Sequence, residues 1–385
     1  MPKLMIPGPT EVSAKARAKM ALPMKPHYGD EWADYYFKVV AKVKRIFQTE
    51  YDLFILAATS SAAMEMAVSH ALQPGEKVLI CNNGFFGDRF EEMALLLGAK
   101  PVTTRSEHGR PITADQVRLA LKEHPDVKAL ALVHNESSTA VESELSGITA
   151  VARKKRVLTI VDCVSSMGGV DVPTDRLGID FCLSGSQKCF GAPAGVSFVS
   201  VSPRAWEAVA ARKQPIRAWY LNLDVLKKYQ EKWRNWHPQG PNTAPVSLYL
   251  ALDQALDEIL EEGLPQRFAR HTKARDAFRA AMRAMGLSLF VEDACASRTL
   301  TAVRLPEGID GAALRGRILE RHDILIAGGL GATANTVIRV GHLALTASAE
   351  YLVPTIEAIE SELLSLRARI KKNVAAQTFK RTFGS

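Results

Sequence analysis

One lysine in this sequence stands where an amine is costly to place. Lys188 lies in Ser184-Gly-Ser-Gln-Lys-Cys-Phe-Gly-Ala-Pro-Ala-Gly195, between an apolar run ending near Leu183 and another opening at Val196. Among small residues between two buried strands an amine loses hydration, and its pKa falls. A lysine depressed in this way is a nucleophile suited to forming imines with carbonyl compounds. The plainer reading is a stem that packs while its ammonium reaches water. Asp162 precedes Lys188 by 26 positions, in Val161-Asp-Cys-Val-Ser-Ser-Met-Gly-Gly169. It ends an apolar run, and ligands of open α/β sheets bind beyond the carboxyl ends of strands, so it faces a crevice. Alone, it reads equally as a loop or cap residue.

Two further segments give this pair company. Ala57-Ala-Thr-Ser-Ser-Ala-Ala-Met-Glu-Met-Ala67 joins a strand to a helix and sets Thr59, Ser60 and Ser61 at the helix start. Hydroxyls, free N–H groups and the helix dipole together suit a phosphate, although plain N-capping needs no ligand. Asn82-Asn-Gly-Phe-Phe-Gly87 places Phe86 beside a strand end, where it can lie flat on a ring or simply pack. An imine-forming lysine, a carboxylate for a pyridine nitrogen, a phosphate seat and a stacking aromatic are the needs of pyridoxal 5′-phosphate (PLP).

These residues need a scaffold, and the apolar pattern supplies one. Leu53–Ala57, Lys77–Cys81, Val127–His134, Val157–Val161, Ile179–Leu183 and Gly195–Val201 are short, almost continuous apolar runs. Strands buried on both faces of a mostly parallel sheet read this way. Between them, Phe90, Met93, Ala94 and Leu97 share a helical face that Gly98 ends, and Thr113-Ala-Asp-Gln116 forms a capping box. The alternation predicts an α/β sandwich. After residue 260 the rhythm changes to a long helix over Leu264–Met285, then strands at Leu287–Phe290, Thr299–Leu305, Asp323–Ile326 and Val337–His342, a smaller α+β domain. We divide the chain into an N-terminal arm (1–20), a large domain (21–262) and a small C-terminal domain (263–385).

Composition narrows the class. At 385 residues, 47% hydrophobic and 23% charged, the chain is that of an ordinary globular protein with two domains. No apolar run reaches the ~18 residues that span a bilayer, so the expected address is cytoplasmic and no membrane partner is expected. Five cysteines with no C-x-x-C pair argue against a disulfide framework or a bound metal and for reduced, mostly buried thiols. The net charge of +8 gathers partly at Arg367, Arg369, Lys371, Lys372, Lys380 and Arg381, which read as a solvated helix end and tail. Nucleic acid is not expected as a partner.

In order and spacing these motifs resemble the class V aminotransferases of PLP fold type I, most of all the alanine–glyoxylate and serine–glyoxylate (serine–pyruvate) enzymes. Pro7-Gly-Pro-Thr10, His134-Asn-Glu-Ser-Ser-Thr139, Trp219-Tyr-Leu-Asn222, Asn242-Thr-Ala-Pro245, Gly328-Gly-Leu-Gly331 and Val337-Ile-Arg-Val-Gly341 extend the likeness almost to the tail, and Gln187-Lys188 after Asp162 is its most specific part. The resemblance implies a seven-stranded sheet sandwiched by helices and a homodimer with shared active sites. It implies that Lys188 holds the cofactor as a Schiff base and that Asp162 meets the pyridine nitrogen. Phe86 would stack on the ring, Val164 pack on its other face and Ser137 reach the phenolic oxygen. Thr59, Ser60, Ser61 and Gln187 would hold the phosphate, with Thr243 from the neighbouring subunit, and Arg339 would clamp the substrate carboxylate. Three departures stand out: Ser60 where many relatives have glycine, Phe86 for a common tryptophan, and Pro238-Gln-Gly-Pro-Asn242 with no tyrosine before Thr243.

The implied reaction is ping-pong transamination from a small amino acid, alanine or serine, to a small 2-oxo acid, glyoxylate or pyruvate. Pyridoxamine–pyruvate, ureidoglycine–glyoxylate and 2-aminoethylphosphonate–pyruvate transamination fit the lysine segment nearly as well. A desulfurase or lyase would need a mobile thiol, for which Cys295 is the loop candidate. A non-catalytic or nucleic-acid-binding relative of the fold would have little use for Lys188 and Asp162.

Overall fold

The computed structural model describes residues 1–384. The apolar runs become the core of a seven-stranded sheet: β1 (Asp52–Leu56), β2 (Lys77–Asn82), β3 (Lys100–Arg105), β4 (Val127–Val133), β5 (Leu158–Asp162), β6 (Phe181–Gly185) and β7 (Ser197–Val201). Their order across the sheet is β1-β7-β6-β5-β4-β2-β3. All pairs are parallel except those that β7 makes with β1 and β6. Strands β5, β6 and β7 are buried along their whole length, because helices cover both faces and leave no solvated side for a polar alternation.

Three helices frame the site and the C-terminal part of the chain: α1 (Ser60–Ala71), α2 (Phe85–Leu96) and α3 (Leu264–Met285). The first two follow β1 and β2 and pack on one face of the sheet, so their N-termini open at the carboxyl ends of the strands. The third has the predicted bounds and ends on Gly286 in the left-handed region. The capping box at Thr113 is present in both directions. A second, three-stranded antiparallel sheet is made by β8 (Leu300–Arg304), β9 (Ala327–Gly328) and β10 (Val337–Gly341), with β10 in the centre. Among the described residues no helix is long and apolar enough to cross a membrane.

The pattern misled in four places. β3 is absent from the expectation because Lys100-Pro-Val-Thr-Thr-Arg105 is an edge strand of half-buried residues, with a proline and charged ends that suit an edge. Leu287–Phe290 forms no strand; only Leu289 bridges to Val303. The run at 323–326 is divided between partners: Ile324–Leu325 pairs in parallel with Lys3–Leu4 from the N-terminus, and Asp323 takes a left-handed conformation to end a helix. Finally, the six basic residues near the C-terminus are solvated as expected, but the segment that carries them is not a free tail. Residues Ala375–Gly384 form a helix docked against α3 through the fully buried Phe379, while Lys371, Lys372, Lys380 and Arg381 stay exposed.

Candidate active site

The carboxyl ends of β1, β2, β4, β5 and β6 meet around one cavity of about 190 Å³. Thr59, Ser60, Ser61, Phe86, Asp162, Val164, Gln187 and Lys188 all border it. Two roomier clefts, of about 440 and 600 Å³, lie elsewhere and touch neither Lys188 nor Asp162. Volume is a poorer guide here than chemistry.

Lys188 enters from the turn after β6 with its stem covered. Burial in the main, with the nearby Arg339 guanidinium, pulls its pKa down to about 8 against the raising effect of Asp162. Its Nζ donates to the carbonyl oxygen of Pro7, in the N-terminal segment. A Cβ at Gly8, whose φ is +115°, would lie 2.5 Å from Nζ, so only glycine lets the arm close over the lysine. The arm is stitched in place by Met5 N–H to Leu325 O (2.9 Å), Gly341 N–H to Met5 O (2.8 Å) and Thr10 N–H to Gln187 O (3.0 Å). In cofactor-free protein, modification of Lys188 by a small acylating reagent should therefore rise with pH through a midpoint of about 8. Peptide mapping across a pH series measures it, and a midpoint near the ~10.4 of an unperturbed lysine side chain would mean a solvated amine.

Asp162 ends β5 and is buried. Its Oδ1 accepts the Val164 N–H at 2.7 Å, and Oδ2 has no donor among the described residues. Burial, with the Glu136 charge, raises its pKa to about 7 against the Val164 hydrogen bond and the charges of Lys188 and Arg89. Such a carboxylate gains from a cationic N–H partner. The hydroxyls of the loop before α1 are also placed for a ligand. Thr59 occupies the N-cap position but makes no capping bond with its side chain, so the plain N-cap reading fails. Ser60 Oγ accepts from Gln187 Nε2 at 3.3 Å, which leaves its own proton to give. A Cβ at Gly185 would stand 2.0 Å from that Oγ, so the small residue is what admits the extra hydroxyl.

These features fit PLP: an unpaired carboxylate oxygen of Asp162 for a ring nitrogen, hydroxyls at a helix N-terminus for a phosphate, and Phe86 and Val164 on the walls between them. A further orphan, Oδ1 of the buried Asn135, also borders the cavity, while its Nδ2 donates to Ser165 O (2.9 Å) and Thr299 Oγ1 (2.7 Å).

Not every predicted residue joins this group within one chain. Ser137 is buried but does not border the cavity; its carbonyl oxygen accepts from Arg339 Nη1 at 2.6 Å. Arg339, in β10, also donates from Nε to Gly328 O at 2.7 Å. Two backbone anchors fix its plane and leave Nη2 and one hydrogen of Nη1 for a carboxylate. Thr243 is exposed and outside the cavity of its own chain. Cys295 borders the 440 Å³ cleft instead, and burial raises its thiol pKa, the opposite of what a nucleophile needs.

Sequence reasoning missed Pro7 and Gly8 as lysine contacts, and it missed Glu136. That fully buried carboxylate accepts the N–H groups of Phe86 (3.0 Å) and Gly87 (3.3 Å) through Oε2 and that of Ser138 (3.0 Å) through Oε1. It caps α2, whose own N-cap residue, Gly84, has no side chain to do so. The only available signal was its place in the polar run His134-Asn-Glu-Ser-Ser-Thr139, directly after the apolar run of β4.

Comparison with known proteins agrees with this geometry. The family model described as Aminotransferase class-V matches residues 14–368. An L-aspartate–glyoxylate aminotransferase of Paracoccus denitrificans is 32% identical, over 97% of this chain and 94% of its own. The structure of a ureidoglycine–glyoxylate aminotransferase from Bacillus subtilis superposes with a TM-score of 0.94 at 29% identity, covering 100% of this chain and 98% of that one. An alanine–glyoxylate aminotransferase structure from Nostoc sp. gives 0.90 at 34% identity, covering 94% and 95%. With the matched region spanning nearly the whole fold and the site, the chain belongs to the class V aminotransferases, enzymes that depend on pyridoxal 5′-phosphate.

Proposed function

We propose that the protein transfers an amino group from a small amino acid, alanine or serine, to a small 2-oxo acid, glyoxylate or pyruvate, as a cytoplasmic homodimer working by a ping-pong mechanism. The observation that carries this reading is the partly buried Lys188 amine sharing one cavity with the unpaired Oδ2 of Asp162. Glyoxylate as acceptor is supported by the names of the Paracoccus, Bacillus and Nostoc relatives, whose donors differ.

Bound PLP supplies a carbonyl carbon and an electron-withdrawing ring. The protein does the rest. Lys188 would hold the cofactor covalently through Nζ, and its amine, when free and neutral, would take the proton from the substrate α-carbon. A pKa near 8 keeps a useful fraction of that amine neutral at working pH. Asp162 would accept the ring N–H, and Phe86 and Val164 would hold the ring between them. Thr59, Ser60, Ser61 and Gln187 would donate to the phosphate; Ser137, to which the family resemblance gives the phenolic oxygen, lies outside the cavity lining. Arg339, whose pKa burial lowers only to about 10, stays charged and receives the substrate carboxylate through its free N–H groups.

Exposed aromatic side chains support the homodimer. Met24, Tyr28, Trp219, Trp233 and Trp236 are all exposed, and the rings of Tyr28 and Trp236 lie 5.1 Å apart. Aromatic residues are enriched at interfaces, and Thr243, near the tryptophans in sequence, would reach the partner's phosphate site.

Stopped-flow spectroscopy of the holoenzyme against a panel of amino donors, followed by acceptor addition, tests the assignment. Alanine or serine should bleach the cofactor band, and glyoxylate or pyruvate should restore it. Response only to pyridoxamine, ureidoglycine or 2-aminoethylphosphonate would overturn the substrate pair while leaving the reaction class intact.

A further inference from the structure

The proposed reaction leaves one cation of the cavity idle. Arg89 lies one helical turn after Phe86 in α2 and borders the cavity with Ser60, Ser61 and Asp162. Its guanidinium carbon sits 4.9 Å from the ring centroids of both Phe85 and Phe86. Those ring contacts hold the group beside the cavity without using its N–H donors. Among the described residues it has no hydrogen-bond acceptor and no carboxylate within ion-pair distance, Asp162 included. The other arginine of the site, Arg339, is tied to two carbonyl oxygens.

A charge count suggests what Arg89 is for. A phosphate monoester carries nearly two negative charges at neutral pH. The groups assigned to it in this chain, Thr59, Ser60, Ser61 and Gln187, are neutral, and a helix N-terminus contributes only about half a positive charge. Of the side chains bordering the cavity only Lys188 and Arg89 are cations, and Lys188 is committed to the covalent link. Helices α1 and α2 pack side by side, so the free guanidinium and the phosphate loop belong to adjoining walls.

We propose that Arg89 is an anion-binding residue of this site and supplies the positive charge for the cofactor's phosphate. The inference rests on the reading of the cavity as the PLP site. A carboxylate of the substrate is the weaker choice of anion, since Arg339 already serves it.

The test compares two ligands of the cofactor-free protein, PLP and pyridoxal, which share the ring and the aldehyde and differ in the phosphate. Dissociation constants are measured for the wild type and for Arg89→Met, Arg89→Gln and Arg89→Lys; two neutral replacements guard against one that misfolds. Loss of a charged hydrogen-bond donor should weaken PLP binding roughly ten- to hundredfold in the neutral variants and leave pyridoxal within about twofold. Lysine should recover part of the loss. Equal weakening of both ligands would place the guanidinium at the ring instead and overturn the proposal. So would no change in either, which would leave Arg89 as packing for Phe86. A wild-type protein that bound neither ligand would sink the site assignment itself, a result separate from any failure of Arg89.

Discussion

Replacing Lys188 with alanine is expected to lower transamination by about four orders of magnitude, the upper range for losing a positioned general base. In the proposed mechanism the residue has two tasks, and alanine removes both: the covalent hold on the cofactor and the removal of the substrate α-proton. Lys188→Arg separates charge from basicity, because a guanidinium keeps the positive charge but does not deprotonate near neutral pH. Both variants should therefore be equally inactive, and borohydride reduction followed by digestion should find no pyridoxyl adduct on the peptide that carries position 188. Single-turnover kinetics with alanine as donor measure the loss. A Lys188→Ala protein turning over at the wild-type rate would remove the basis of the mechanism.

Asp162→Asn is the second large effect. The amide has the carboxylate's shape but cannot hold a proton on a pyridine nitrogen, so the ring loses its pull on electrons. We expect a fall in kcat of about two to three orders of magnitude, comparable with the loss of one preorganised electrostatic partner. The same change should not lower the melting temperature of the cofactor-free protein. Burial has already pushed this carboxyl up to about 7, so a neutral isostere removes a desolvation cost. Reduced activity with unchanged or raised stability is thus the signature of a functional carboxylate. A variant that unfolds easily while retaining its rate would mark Asp162 as structural.

Glu136 shows how far the site depends on contacts that no motif describes. Its carboxylate holds the first turn of α2, and hence Phe86, while the next residue offers its carbonyl oxygen to Arg339. One short segment therefore links the aromatic wall of the cavity to the arginine in the other sheet. The His134-Asn-Glu-Ser-Ser-Thr139 run was legible as a motif, but the side chain in its middle is aimed at the scaffold, and the serine after it makes its observed contact through the backbone.

Local sequence determined six of the seven strands of the large sheet and the places where Lys188 and Asp162 leave it. Strands buried on both faces leave nearly continuous apolar runs, and a polar residue ending such a run can only point to the crevice. It also determined α3 and the capping box at Thr113, since helical period and caps are read within a few residues. The tertiary structure alone decided the rest. Lys188 meets Pro7 across 181 positions, Arg339 meets Ser137 across 202, and Phe86 meets Glu136 across 50. Which residues meet over such spans depends on strand order and on where the arm crosses the second sheet. Neither quantity has a period or a spacing, so the edge strand β3, the divided strand at 323–328 and the guanidinium of Arg89 became visible only when the chain was folded.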